Sequence, residues 1–171
     1  MKKIVVLLSF IFIVQLGFSQ KFGYVDTEYI LKNIPSFDAS QKKLDQYSEE
    51  WQKEIETIFS DIDRMYKEYQ AEKVLLTDKL RVKRENEIIA REKEAKDLQK
   101  KYFGQDGELF AKRQELIKPI QDDIYNAIKE VAEEANLDFI FDSGSSSVNI
   151  LFANPKYDRS DDILQKLGYK N

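Results

Sequence analysis

Three observations predict a mostly helical α+β chain with one long coiled-coil segment. First, Phe37, Gln41, Leu44, Ser48, Trp51, Ile55, Ile58, Ile62, Met65, Tyr69, Glu72 and Leu76 follow one another in alternating steps of four and three, and nine of the twelve are apolar or aromatic. Second, charged residues make up 34% of the 171, with only 6 Gly and 3 Pro, a composition that suits long helices over a turn-rich sheet. Third, short alternating apolar runs occur only towards the two ends of the chain. A repeat of 3.5 residues is slightly shorter than the helical turn, so a helix carrying it winds left-handedly around a neighbour to keep its stripe buried. Forty residues of helix extend ~60 Å, too far to lie inside a compact domain of this size. The segment is therefore expected to project as an arm. Phe59 and Tyr66 widen the stripe on one side.

The N-terminus reads as an export signal. Lys2 and Lys3 precede an apolar run from Ile4 to Phe18, and Gly17-Phe18-Ser19 sets small residues at −3 and −1 of a cut before Gln20. The run is shorter than the ~20 residues of a spanning helix, and no Cys follows it to carry lipid. Removal of residues 1–19 leaves 25 basic and 31 acidic residues, a net charge of −6. The expected location is the periplasm.

Phe22 to Asp26 alternates and reads as a short strand; Thr27 to Asn33 follows as a two-turn helix capped by Asp26 or Thr27 and ended ahead of Pro35. Ser36 or Asp38 is expected to cap the long helix. The arm should turn near 75–79, where Thr77-Asp78 supplies a new cap, and return along Ile88, Arg91, Ala95, Leu98, Tyr102, Gln105 and Leu109. The outgoing stretch 38–75 holds 6 basic and 10 acidic residues and the returning stretch 78–103 holds 9 and 6, so the two are complementary in charge as an antiparallel hairpin. Folding about residue 77 brings Gly104 and Gly107 level with Trp51 and Tyr47. Within a helix each glycine costs ~1 kcal/mol relative to Ala. Two readings fit: the glycines make room for the indole, against which they should pack, or they soften the arm. The repeat also slips by one residue after Leu109. Pro119 should kink the returning helix, since an interior proline loses a hydrogen bond.

An apolar face continues through Ile117, Ile120, Ile124, Ile128, Val131 and Ala135 to a helix end at Asn136. Two strands are then expected, 137–142 and 148–153, joined by the Ser143-Gly144-Ser145-Ser146-Ser147 loop as a hairpin. Leu137, Phe139 and Phe141 would share one face, and Val148, Ile150 and Phe152 another. Asn154-Pro155 ends the second strand, and Ser160 or Asp158 caps a last short helix reaching Gly168. The expected divisions are a signal over 1–19, a body formed by 20–36 and 119–171, and an arm over 37–118.

With no His and no Cys, the chain has no imidazole base, thiol nucleophile or disulfide. Asp138, Asp142, Asp158, Asp161 and Asp162 read as polar-face, turn and capping residues. The later cluster lacks the glycine and terminal Glu of a calcium loop, and Ser143-Gly144-Ser145 is no nucleophile elbow. No catalysis, cofactor or metal is expected. A sequence pI near 5.1 opposes nucleic-acid binding. Three short strands and two short helices make a poor core for a monomer and leave strand edges unpaired. A homo-oligomer is expected whose body buries Phe22, Tyr24, Phe139, Phe141 and Phe152. At the arm tip Lys79, Arg81, Lys83 and Arg84 lie without an intervening acid, suited to a solvated helix start or to anionic lipid or acidic client segments.

The whole mature chain resembles the Skp/OmpH family of periplasmic chaperones, in the form found in Bacteroidetes-type bacteria. The resemblance is carried by Phe22-Gly-Tyr-Val-Asp-Thr-Glu-Tyr-Ile-Leu31, by Gly107-Glu-Leu-Phe-Ala-Lys-Arg-Gln-Glu-Leu-Ile-Lys-Pro-Ile-Gln121, and by the tail from Leu137-Asp-Phe-Ile-Phe-Asp142 to Asn154-Pro-Lys-Tyr-Asp158. It implies a trimer whose β-rich body carries three helical hairpins around a cavity that holds unfolded outer-membrane β-barrel proteins without ATP. The net negative charge departs from the basic members best known in that family. A non-catalytic envelope adaptor or spacer with a fixed partner would show the same arms.

Overall fold

The computed structural model describes residues 20–145 and 150–169. Val148 and the expected signal over 1–19 lie outside them. The elements run β1 (Phe22–Val25), α1 (Thr27–Lys32), α2 (Pro35–Glu72), α3 (Asp78–Phe103), α4 (Glu108–Leu116), α5 (Lys118–Ala135), β2 (Phe139–Asp142), a 3-10 turn (Pro155–Tyr157) and α6 (Ser160–Lys166). This is the mostly α, α+β class, with a coiled-coil hairpin and a small sheet. The chain divides into two compact units, residues 34–123 and the two flanking stretches together.

In the hairpin unit the 3.5-residue stripe does what its spacing predicts. Leu44, Ile55, Ile58, Ile62 and Tyr69 of α2 are buried, as are Ile88, Ala95 and Tyr102 of α3. Ile58, Ile62, Tyr69, Ile88 and Ala95 form one cluster, with Met65, Leu76 and Leu98 packed against it. Cross-links confirm the fold-over point. The Tyr69 hydroxyl donates to Glu85, Arg91 meets Asp61 at 3.3 Å, and the Tyr102 hydroxyl donates to Glu54 at 2.9 Å, pairs symmetrical about residues 76–78.

Two local expectations are corrected by the structure. Helix α2 begins at Pro35 with Ile34 as its cap residue and no side-chain cap bond, so neither Ser36 nor Asp38 caps it. Proline at the first helical position has its φ preset and no N–H to satisfy, which makes a side-chain cap less necessary. The returning chain is also not one kinked helix: it is interrupted at 104–107 and again at Ile117. Pro119 lies in the first turn of α5, where no intrahelical hydrogen bond is lost.

In the other unit the sheet has two strands, paired in parallel with Phe22 opposite Phe139, Gly23 opposite Ile140, Tyr24 opposite Phe141 and Val25 opposite Asp142. The expected β-hairpin is therefore overturned. β2 pairs with the N-terminal strand, and residues 150–153 form no strand. The reason lies in the chain after Asp142, whose atoms are committed to β1 and α1. The Ser143 N–H donates to the Val25 carbonyl at 2.8 Å, and the Asp142 carboxylate accepts from the Thr27 N–H (3.2 Å) and hydroxyl (2.7 Å). The other edge of β1 is occupied by the tail, where the Arg159 N–H donates to the Tyr24 carbonyl at 2.9 Å.

Val25, Ile30, Ile163 and Leu164 are fully buried and anchor this unit. Asp26 caps α1 as expected, accepting from the Tyr29 N–H at 2.9 Å. Asn136, at φ 51°, takes the left-handed conformation that ends α5. Ser160 is buried and is the first residue of α6, whose cap position is Arg159 and not the expected Ser160 or Asp158. It accepts from the Asp26 N–H at 2.8 Å and donates its hydroxyl to Asp158 at 2.6 Å, tying the two short helices together.

Candidate functional site

Residues opposite one another in a parallel ladder place their side chains on the same face. Phe22, Tyr24, Phe139 and Phe141 thus form one aromatic face of the sheet, and Gly23, Val25 and Ile140 the other. The second face is covered, with Val25 1% exposed; the first is open, with Phe22, Phe139 and Phe141 at 51%, 56% and 46%. The tail continues the open surface. Tyr157 packs its ring 5.2 Å from Phe22, and a groove of about 450 Å³ runs among Phe22, Tyr24, Phe141, Ile150, Phe152 and Tyr157. Burial, and then the nearby Asp158 carboxylate, push the Tyr24 phenol above its usual value.

Leu137 does not join this face. A Cβ on Gly23 would stand 3.1 Å from its Cδ1, so it packs on the opposite side from Phe139 and Phe141. Strand alternation cannot be extended back to 137 because β2 starts only at Phe139, after the left-handed turn at Asn136.

In the hairpin unit, Trp51 lies parallel to Tyr102 at 4.8 Å, stacks on Tyr47 at 5.5 Å and meets Phe103 edge-on at 6.4 Å. The indole thus packs on the aromatics just before the glycines and not on the glycine turn itself, which corrects the expectation. Gly104 and Gly107 are also not mid-helix: they end α3 and precede α4 with extended backbones. What they make room for is the chain's own backbone. A Cβ on Gly107 would lie 2.8 Å from the carbonyl oxygens of Lys101 and Tyr102, and one on Gly104 would fall on the Lys100 carbonyl. Lys101 bridges the junction to Glu108 at 3.2 Å, and Lys112 of α4 sits 5.7 Å over the Tyr47 ring.

The four cations at the turn are less free than their sequence spacing implies. Arg81 pairs with Asp78 at 3.5 Å, and its Nε donates to the Lys73 carbonyl; Lys83 and Arg84 both lie near Glu87, at 3.8 and 3.3 Å. Lys79 is exposed. The turn also carries Val74 and Leu75, 82% and 84% exposed, which the repeat does not single out. Phe59 and Tyr66 are 45% and 52% exposed. Ile89, Val82 and Phe103 are exposed as well and were missed by following only the buried stripe of α3; Ile89 and Phe103 each stand one residue after one of its positions, and Val82 lies seven residues before Ile89.

On one side of the hairpin Asp61 accepts from Arg64 (2.7 Å) and Arg91 (3.3 Å), and these bonds hold its carboxyl below the usual carboxylate range. A carboxyl with a lowered folded pKa stabilises above its unfolded value, near pH 4, and loses that contribution as pH falls through the folded one. Asp61→Asn should therefore flatten the acid limb of the melting-temperature profile below about pH 4. An Asp61→Asn profile with an acid limb as steep as the parent's would contradict this.

Among the described residues there is no cluster of His, Cys, Asp and Glu able to hold a metal, and no helix long and apolar enough to cross a membrane. Fold and surfaces define a protein of exposed apolar faces on a coiled-coil hairpin and a small sheet. The chain belongs to the OmpH-like outer membrane protein family, whose model matches residues 21–167. No curated relative matches its sequence. It shares its fold with the crystal structure of a candidate outer membrane chaperone (OmpH-like) from Caulobacter crescentus CB15, at 14% identity and a TM-score of 0.67 over 87% of this chain and 84% of that one.

Proposed function

We propose that this chain is an exported, ATP-independent holdase that binds unfolded outer-membrane β-barrel proteins in the periplasm, working as a homotrimer. The observation that carries the reading is the pairing of family membership with two exposed apolar surfaces that a lone soluble chain gains nothing by exposing. The aromatic face formed by Phe22, Tyr24, Phe139 and Phe141, with Ile150 and Phe152, is the assembly surface; Val148 joins it on the sequence pattern. The hairpin carries the client contacts, with Phe59 and Tyr66 among them, and Lys79, Arg81, Lys83 and Arg84 meet anionic lipid or acidic client segments at its turn. Gly104, Gly107 and Pro119 mark the interruptions at which the hairpin bends.

A holdase stabilises the unfolded chain by binding it and needs no hydrolysis to do so. Dilution of an unfolded outer-membrane barrel into the protein should suppress aggregation at close to one trimer per client, with the trimer mass measured in the same buffer. A trimer that leaves aggregation unchanged would point instead to an envelope spacer with a fixed partner.

A further inference from the structure

The hairpin has two unlike flanks. Phe59 and Tyr66 are seven residues apart on α2, and Val82, Ile89 and Phe103 fall on one seven-residue series on α3 whose remaining member is Lys96. Seven residues are two helical turns, so each series keeps to one side of its helix. The two series meet on the same side of the hairpin, because Phe59 and Phe103 line one groove of about 320 Å³ with Gln52, Ile55, Glu56 and Gln99. All five apolar side chains are 36–59% exposed. Across the buried seam the other flank is ionic: Arg64 and Arg91 with Asp61, Arg91 with Glu94 at 2.6 Å, and Arg84 with Glu87.

We infer that the Phe59, Tyr66, Val82, Ile89 and Phe103 flank is the surface that takes the client, and that its occupant is an unfolded chain presenting isolated apolar side chains. The inference rests on the holding activity proposed above and locates it. Two features argue against a fixed helical partner. A coiled-coil neighbour needs two apolar positions per seven residues, and each series offers one at most. The five side chains expose roughly 500 Å², taking about 200 Å² for each, against ~800 Å² per partner in a stable complex. Single anchors about 10 Å apart along each helix, with polar residues between, suit many weak contacts that an extended chain can make in any register. The ion-paired flank keeps its water and its partners, and gives an apolar client nothing to cover.

The test uses the full mature chain and an unfolded eight-stranded outer-membrane barrel protein diluted from denaturant. Phe59→Ser with Ile89→Ser should weaken client binding by about tenfold, the scale of losing two half-exposed apolar contacts. Arg64→Ser with Glu94→Ser, neutral in net charge, should leave binding within twofold. Helicity and oligomer mass are recorded for both variants. A photoreactive benzophenone side chain at position 66 should cross-link the client, and one at position 64 should not, a readout that survives any loss of stability in the double variants. If the parent holds the client while both double variants hold it equally, or both positions cross-link alike, the flank assignment falls and the holding activity stands. If the apolar double variant instead changes the oligomer mass, the flank is a contact between copies and the inference falls. Should the parent hold no client, the activity and its location fall together.

Discussion

A chain carrying Phe139→Asp and Phe141→Asp is expected to run as a monomer and to lose its hold on unfolded barrel clients. Both rings are half exposed in the single chain, so their removal leaves β2 paired with β1 through backbone atoms alone. The fold of the unit is thus spared while its open face changes character. Burying an aromatic side chain contributes on the order of 1.5–3 kcal/mol, and in the proposed trimer every subunit would give its two phenylalanines to the assembly. The substitutions also place two carboxylates per copy where like charges from neighbouring copies would meet, unpaired and desolvated. Association should weaken by more than a hundredfold, on the order of 3 kcal/mol or more. Sedimentation across a concentration series reads the mass, and circular dichroism checks that helicity is kept. A double variant that stays fully trimeric at micromolar concentration would remove the aromatic face from the assembly, and the exposure of its rings would then need another cause.

How far the fold was legible depended on the range of the physics involved. The 3.5-residue stripe is a local, repeated signal, and it placed Leu44, Ile55, Ile58, Ile62 and Tyr69 correctly in the buried seam. The turn near 77 was equally legible, because a threonine at the cap position and a change in charge coincide there, although Thr77 makes no side-chain cap bond. The cap of α1 was legible to within one residue, Asp26 or Thr27, and the Tyr29 N–H bonded to Asp26 settles it. The sheet was not legible in the same way. Alternation identifies strands but says nothing of what they pair with, and β1 and β2 pair across more than a hundred intervening residues. Nearness in sequence favoured a hairpin after Asp142, and the long-range parallel ladder won because Asp142 and Ser143 bond back to Thr27 and Val25.

The candidate surfaces divided along the same line. That Phe22, Phe139 and Phe141 stay exposed in the single chain could be read from a count of elements too few to bury them. Phe59 and Tyr66 stood out because they sit beside a stripe already recognised. Val82, Ile89 and Phe103 did not, since α3 carries a weaker repeat interrupted by Arg91 and their series shows only when offset by one residue. The cations near the turn looked free by spacing, but three of the four have acidic neighbours one turn away or less.

Gly107→Leu should be the most damaging single substitution in the hairpin, with Gly104→Leu close behind. Gly107 is buried, and the atoms its Cβ would meet are the carbonyl oxygens of Lys101 and Tyr102 and the amide of Gly104, at 2.8–2.9 Å. These are backbone atoms that cannot rotate aside, so the junction between α3 and α4 has to open. Opening moves Tyr102 and Phe103, the last residues of α3, and those rings hold Trp51 from the facing helix. The Lys101–Glu108 bridge and the contact of Lys112 with Tyr47 depend on the same spacing across the junction. The alternative for the chain is to carry α3 straight through 104–107 as helix. Four added helical residues would then turn α4 relative to the stack, and Lys112 could no longer reach Tyr47 while Tyr102 stays on Trp51. Either route gives up a packed aromatic contact and a backbone fit together, a loss of about 2–4 kcal/mol by the usual scale for strain combined with lost packing. The urea midpoint of the hairpin should fall accordingly, and Trp51 emission should shift to the red as its stacking partners withdraw. Midpoint and emission both unchanged in Gly107→Leu would mean that the junction tolerates a side chain, and that the glycines are not what holds Tyr102 and Phe103 against the indole.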